Sequence, residues 1–253
     1  KLGFENIRCL VTIPIDVMEA CIPDAEKYNI RLGKEIHNPF PIFMDDSVNP
    51  NAPLFRAYPP YAAEEVMALA DKYHTKHIGL VPDFGIFQKE ESRVLVDYQR
   101  RHTEYPEAFD YILENKGKMD PDEIMKKVET MVPDVNKQTA GIGSLASLMK
   151  PKKMAAKPEQ LKQIVPYIVS IHGKFYEMTE IEGCPGQYED KAIATEEAMK
   201  YLAEGGYDGY IDSEYEGQRN QQDIGFENLP DEREQVRRHH EMLARLIQKY
   251  EAK

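Results

Sequence analysis

The chain has no tryptophan, and its three cysteines, Cys9, Cys21 and Cys184, are scattered singly without a CxxC pair. An odd, dispersed set fits reduced thiols in a cytoplasm better than a disulfide framework. Cys9 and Cys21 lie in apolar stretches and are expected to be core filler. Basic residues are outnumbered: 32 Lys and Arg stand against 44 Asp and Glu in 253 residues, a net charge of −12. Such a surface repels phosphate backbones and anionic lipid, which argues against nucleic acid and membrane as partners. No apolar run approaches the ~20 residues needed to span a bilayer, and no signal-peptide pattern opens the sequence. The expected location is therefore cytoplasmic. No segment reads as a phosphate loop. Gly205-Gly206 falls between a helix and a strand, where it reads as a helix C-cap.

What is present is an alternation of strand and helix. NIRCLVTI (6–13) is an apolar, β-branched run suited to a strand buried on both faces. A helix is predicted over 16–29, with Val17, Met18, Cys21, Ile22 and Ala25 at helical spacing and Asp16 as N-cap. A strand at 30–38, a Pro/Asn-rich loop at 39–60, a helix at 61–75 and a strand at 77–85 follow. Residues 88–164 then read as helices without strands, too long for a βα connection of ~2–6 residues. They are expected to form a helical insertion capping one end of the fold, with the basic tract KPKKMAAKP (150–158) as a hinge. The rhythm resumes with a strand at 164–175, a helix at 191–205, a strand at 207–215 and an amphipathic helix at 231–250. In that last helix Val236, Met242, Leu243, Leu246 and Ile247 are assigned to the inner face, and His239-His240 to the exposed side.

Five strands in parallel alternation fall short of the eight of a TIM-type (β/α)₈ barrel. The opening KLGFENIR reads like the tail of a helix entering a strand. The expected fold is a single α/β barrel domain over 1–253 that lacks its first β/α units in this sequence. An open five-stranded α/β sheet is the alternative.

Four strand ends carry chemistry. LGKEIHNPF, HIGLVPDFGIF, IVSIHGKFYEM and GYIDSEYEG offer Glu35, Asp83, His172 and Glu214 in succession. Parallel barrel strands aim their C-terminal ends at one mouth, so these four are expected to converge. Three carboxylates and an imidazole make a hard-leaning site that suits Mn²⁺, with Mg²⁺, Co²⁺ or Zn²⁺ as alternatives. Taken singly, each residue also has a bland reading: Glu35 as a surface residue, Asp83 as a turn residue, His172 as a satisfied core histidine. Strand alternation adds His37 beside Glu35, Lys174 beside His172 and Glu216 beside Glu214. Charged groups on the inner face of a buried strand are costly unless paired or metal-bound. For Lys174 and Glu216 a structural ion pair is the competing reading. Phe40, Phe84, Phe87, Phe175 and Tyr176 stand ready to stack on a ligand or to line the core.

The phrases LGKEIHNP, VPDFGIF, IHGKFYEM and GYIDSEYEG resemble the sugar phosphate isomerase/epimerase family, the xylose isomerase-like TIM barrels, over most of the chain outside 88–164. The resemblance implies one divalent metal held by Glu35, Asp83, His172 and Glu214 on the last four strands, with NIRCL as the fourth strand and three β/α units before it. The insertion and the EIH and HGKFYE phrases resemble a narrower group, the catalytic α subunits of bacterial C-glycoside deglycosidases. That likeness implies cleavage of the carbon–carbon bond between an oxidised sugar and an aromatic aglycone, and a small β subunit as partner.

Both readings place proton abstraction next to a sugar carbonyl, with a divalent metal polarising that carbonyl. In an epimerase Glu35 and Glu214 would remove and return the proton from opposite faces. In a lyase His37 would be the base, since a histidine's ordinary pKa of about 6.5 suits that task. Lys174 completes the expected catalytic set. The expected ligand is a small sugar or glycoside, and the chain is expected to oligomerise. A DNA-repair endonuclease on this barrel would need more histidine ligands and a basic groove, which seven histidines and a charge of −12 do not provide. A non-catalytic sugar-binding subunit is the remaining alternative.

Overall fold

The computed structural model describes residues 3–44, 63–133, 145–146, 148–149 and 152–251. The larger elements run β1 (Asn6–Cys9), α1 (Ile15–Tyr28), β2 (Arg31–Ile36), α2 (Ala63–Tyr73), β3 (Ile78–Pro82), α3 (Arg93–His102), α4 (Pro106–Asn115) and α5 (Pro121–Met131). They continue with α6 (Leu161–Ile164), β4 (Ile171–Phe175), β5 (Thr179–Glu180), β6 (Tyr188–Glu189), α7 (Thr195–Glu204), β7 (Ile211–Tyr215) and α8 (Glu232–Glu251).

β1, β2 and β3 pair in parallel in that order, and β4 pairs in parallel with β7. Parallel bridges at Leu80–Ile168 and Asp83–His172 join the two groups, and Val169 N donates to Leu80 O at 2.8 Å. The five strands therefore follow one another as β1-β2-β3-β4-β7, all pointing the same way. Parallel strands joined through helices must lay those helices on the sheet, which is why the strands read as apolar runs. The main core lies between them: Leu80, Phe84, Ile86, Phe87, Leu161, Ile164, Ile171, Phe175 and Ala198 are fully buried. Among the described residues no helix is long and apolar enough to cross a membrane.

Among the described residues the segment between β3 and β4 holds helices and no strand, and it builds a second core from Phe109, Ile112, Ile124, Val128 and Leu145. Proline and acidic caps shape it locally. Asp120 accepts the amides of Asp122 and Glu123, and Pro121 opens α5, where a missing N–H costs nothing. The expected helix at 140–150 falls mostly outside the described residues, as does the loop from 45 onward. Residues 152–158 do not behave as a hinge. The amides of Ala155 and Ala156 both donate to Ile86 O, and Ala156 and Pro158 are buried against the main core.

Other expectations need correction. β1 ends at Cys9 and is an edge among the described strands, so Ile7 is 45% exposed instead of buried on both faces. α1 begins after an extended Pro14, and Asp16 bonds only Val17 N. Residues 164–167 turn helically where a strand was expected, and β4 starts at Ile171. Cys21 is exposed and does not fill the core, whereas the half-buried Cys9 packs against it. Ile247 is partly exposed, whereas His239 is fully buried, stacked on Phe175 with ring centroids 4.2 Å apart. Phe40, Phe84, Phe87 and Phe175 line the core and offer no face to a ligand.

Candidate active site

β2 carries Glu35 at its C-terminal end, with His37 just beyond it. Asp83 follows β3 directly, β4 carries His172 and Lys174, and β7 carries Glu214 with Glu216 just beyond it. The register sets these side chains beside one another, because Lys174 pairs with Glu214 and Asp83 bridges His172. Ligand atoms of Glu35, Asp83 and His172 lie within 4.8 Å of one another. Glu214 joins them, with its Oε2 3.5 Å from His172 Nδ1, while Glu35 Oε1 is 3.1 Å from the same nitrogen. All four residues picked from the strand ends are thus adjacent, and Glu35 and Asp83 are buried.

A cation fits this donor set. Asp83 Oδ2, His172 Nδ1 and Glu214 Oε2 are each buried without a hydrogen-bond partner, although buried polar atoms are normally paired. Their charges lean on one another instead. Burial pulls His172 down, but Glu214 and Glu35 outweigh it and lift its pKa to about 9. His172, 3.5 Å away, holds the Glu214 carboxyl down at about 2, against burial and helped by Lys174. Asp83 accepts Gly85 N at 2.7 Å through Oδ1, which leaves Oδ2 turned into the cluster.

Lys174 is the second centre of charge. Its ammonium is 2.7 Å from Asp83 Oδ2, 3.2 Å from Glu216 Oε2 and 3.7 Å from Glu214 Oε2, and the residue is 2% exposed. Burial lowers its affinity for a proton, and these carboxylates more than restore it. The ion pair expected at a rim therefore exists, but inside the protein. Lys174 Nζ also lies 3.0 Å from His37 Nε2. His37 Nδ1 sits 2.6 Å from Asn38 O, an acceptor only, so Nδ1 carries the proton and Nε2 presents a lone pair to the site. His37 is the most exposed member, at 40%, and reaches toward the open side.

Sequence reading missed Arg8. Its guanidinium meets Glu35 Oε1 at 2.8 Å and, with His172, keeps that carboxyl below its ordinary range despite burial. The signal was available: an arginine inside an apolar strand needs a carboxylate partner. It also missed Asp190, which accepts the amides of Tyr176 and Ala192 at 2.6 and 2.7 Å and so fixes the chain leaving β4.

The helical segment sits over the C-terminal strand ends. Arg93 of α3 pairs with Glu177 after β4, its Nε 2.8 Å from Oε2. Arg101 of the same helix grips Asp223 after β7 at 2.7 and 2.8 Å and donates to Asn220 O at 2.9 Å.

No family model matches the chain. Among curated proteins it is similar to the 3'-dehydrocarminate deglycosidase alpha subunit of Microbacterium sp, with 25% identity over 232 residues, 86% of this chain and 59% of that protein. It is likewise similar to C-glycoside deglycosidase alpha subunits of Microbacterium trichothecenolyticum and Arthrobacter globiformis. Each is 25% identical over 235 residues, covering 86% of this chain and 55% and 56% of those proteins. The chain thus spans little more than half the length of the curated relatives it matches.

Proposed function

We propose that the chain carries the site of a divalent-metal-dependent enzyme that removes a proton next to a sugar carbonyl and cleaves a carbon–carbon bond of a 3-oxo-glycoside. We further propose that its strands belong to a TIM-type barrel and that it works with a second, smaller subunit. The observation that carries the reading is the convergence of Glu35, Asp83, His172 and Glu214 beside His37, whose Nε2 accepts from Lys174 Nζ at 3.0 Å. The relatives' names favour the lyase over the isomerase outcome, since all are deglycosidase alpha subunits.

Glu35, Asp83, His172 and Glu214 would hold the metal, which when bound would polarise the sugar carbonyl and acidify the adjacent C–H. His37 Nε2, turned inward by its bond to Asn38 O, would take the proton from C2. As the C1–aglycone bond breaks, the electron pair left at C2 would form the C1–C2 double bond. The aglycone carbon would leave with the pair of the broken bond and take the proton back from His37. Lys174, held by Asp83 and Glu216, faces the same space and would offset negative charge growing on the carbonyl oxygen. Glu35 and Glu214, on two sides of His172, are the groups that would instead return the proton in an epimerase.

The test is metal content on purification, with turnover of 3-oxo-glycosides and of ketohexoses before and after chelation. About one Mn²⁺, Mg²⁺ or Co²⁺ per chain, elimination of the aglycone, and loss of turnover on chelation are expected. Glu35→Gln and Glu214→Gln should each lose activity with an unchanged circular dichroism spectrum. Full activity in both variants sinks the reading, and turnover of ketohexoses alone transfers it to the epimerase.

A further inference from the structure

At the other end of the strands lies a cavity of about 970 Å³, within the size range of small-molecule sites. Arg31 opens β2 and Ile78 opens β3, and both line it, whereas the candidate centre sits where these strands end. Along β2 alone, Arg31 precedes Glu35 by ~13 Å of extended chain. His74, Thr75, Lys76 and His77, which join α2 to β3, form another part of its lining.

The cations of this cavity are uncommitted. Among the described residues neither Arg31 nor Lys76 makes an ion pair, unlike Arg8, Lys174 and Arg219 at the candidate centre. Arg31 donates Nη2 to Ile168 O at 2.8 Å and Nε to Lys76 O at 3.4 Å. These bonds steady the guanidinium and leave Nη1 without a protein acceptor among the described residues. Asp71 is the carboxylate of the lining, and it accepts the Tyr167 hydroxyl at 2.9 and 3.0 Å. Arg31 and Lys76 outweigh it, so the lining is net positive in a chain of net charge −12. His77 Nδ1 sits 2.9 Å from Ile30 O, so that nitrogen carries the proton and Nε2 remains for a ligand.

The backbone gives an independent sign. Among the described residues, Asn29 and His74 are the non-glycine residues with positive φ, at 52° and 49°, and both line this cavity. Glycine would hold the turn after α2 at lower cost, whereas histidine sets an imidazole there. Residues held in this conformation cluster at ligand clamps.

An arginine fork, a lysine and two imidazoles around one space match the charge and geometry of a phosphoryl dianion. We infer that this cavity binds a phosphoryl group, free or carried by a small metabolite, at a site separate from the candidate centre. The site stands whether or not the chain performs the reaction proposed above.

Calorimetric titration of the whole chain with inorganic phosphate and with glucose 6-phosphate, before and after chelation, tests it. At least one of the two should bind with a Kd below about 1 mM, equally well in both states. Tighter binding of glucose 6-phosphate supports the site with an ester as its ligand, and tighter binding of inorganic phosphate supports it with the free ion. Lys76→Ala removes an exposed ammonium and should weaken binding about tenfold with an unchanged thermal midpoint. His74→Gly should weaken binding while holding or raising the thermal midpoint, because glycine suits the positive φ. No binding of either anion, binding that disappears on chelation, or wild-type affinity in both variants overturns the site.

Discussion

His172 couples the site to pH in two opposite ways. Its pKa in the folded chain is about 9, raised by Glu214 and Glu35 over the opposing effect of burial. A raised pKa means the folded state favours the charged form. Its contribution to stability is complete below about 6.5, the ordinary value, and is lost as pH climbs through 9. A metal needs the neutral ring, so protons compete with it, and apparent affinity should rise by about tenfold per pH unit toward 9. Thermal midpoints of the metal-free chain should therefore fall from pH 6.5 to 9, while the increment given by added Mn²⁺ grows. An increment that is flat with pH, or equally pH-dependent in His172→Gln, would remove His172 from the ligand set.

At this scale much of the site was legible, because a carboxylate or histidine at the end of an apolar strand is conspicuous. His239 was misread because its polarity was taken for exposure. Its spacing from Gln235, Met242, Leu243 and Leu246, all buried, already placed it on the inner stripe of α8. Arg8 was hidden by its setting: in NIRCLVTI it looked like an interruption, and only the fold shows Glu35 one strand away.

At the scale of elements, alternation of strand and helix was readable and the ends of strands were not. Apolar content alone cannot separate a strand from a buried helical turn. Leu161, Ile164 and Ile168 are all buried, yet only Ile171–Phe175 is strand. Pro166, without an N–H to give to a ladder, was the clue that 164–170 does not pair along its length. β4 is also where a small residue is required. A Cβ on Gly173 would lie 2.9 Å from Ile211 Cγ2, 3.1 Å from His239 Cε1 and 3.2 Å from Asp212 O. These neighbours are a paired strand and a fully buried ring, and neither can retreat. Gly173→Ala should cost about 1–3 kcal/mol, read as a lowered denaturant midpoint with an unchanged slope. It should also weaken metal binding, because Gly173 lies between His172 and Lys174 on the same strand. A variant as stable as the wild type would show that the β4–α8 packing is looser than these distances imply.

For the whole molecule, the important division is between two cores. The main one binds the strands to α1, α2, α7 and α8, whereas Phe109, Ile112, Ile124, Val128 and Leu145 form a separate core in the helical segment. The sequence announced that segment by its length and its lack of strands, but not that it would carry a core of its own, since each of its helices is amphipathic and says nothing about which neighbour it meets. What fastens α3 to the site is electrostatic: Arg93 to Glu177 and Arg101 to Asp223, all at least partly exposed. Exposed pairs contribute little each, ~0–1 kcal/mol, and weaken with salt. Local opening should therefore be easier in the helical segment than among the strands. Hydrogen exchange followed by mass spectrometry should show amides of 106–131 exchanging ahead of those of 31–36, 78–82 and 171–175. Raising the salt from 0.05 to about 0.5 M, where screening is within ~5 Å, should speed the first group and leave the second unchanged. Exchange of both groups at one rate would mean that the two cores open together.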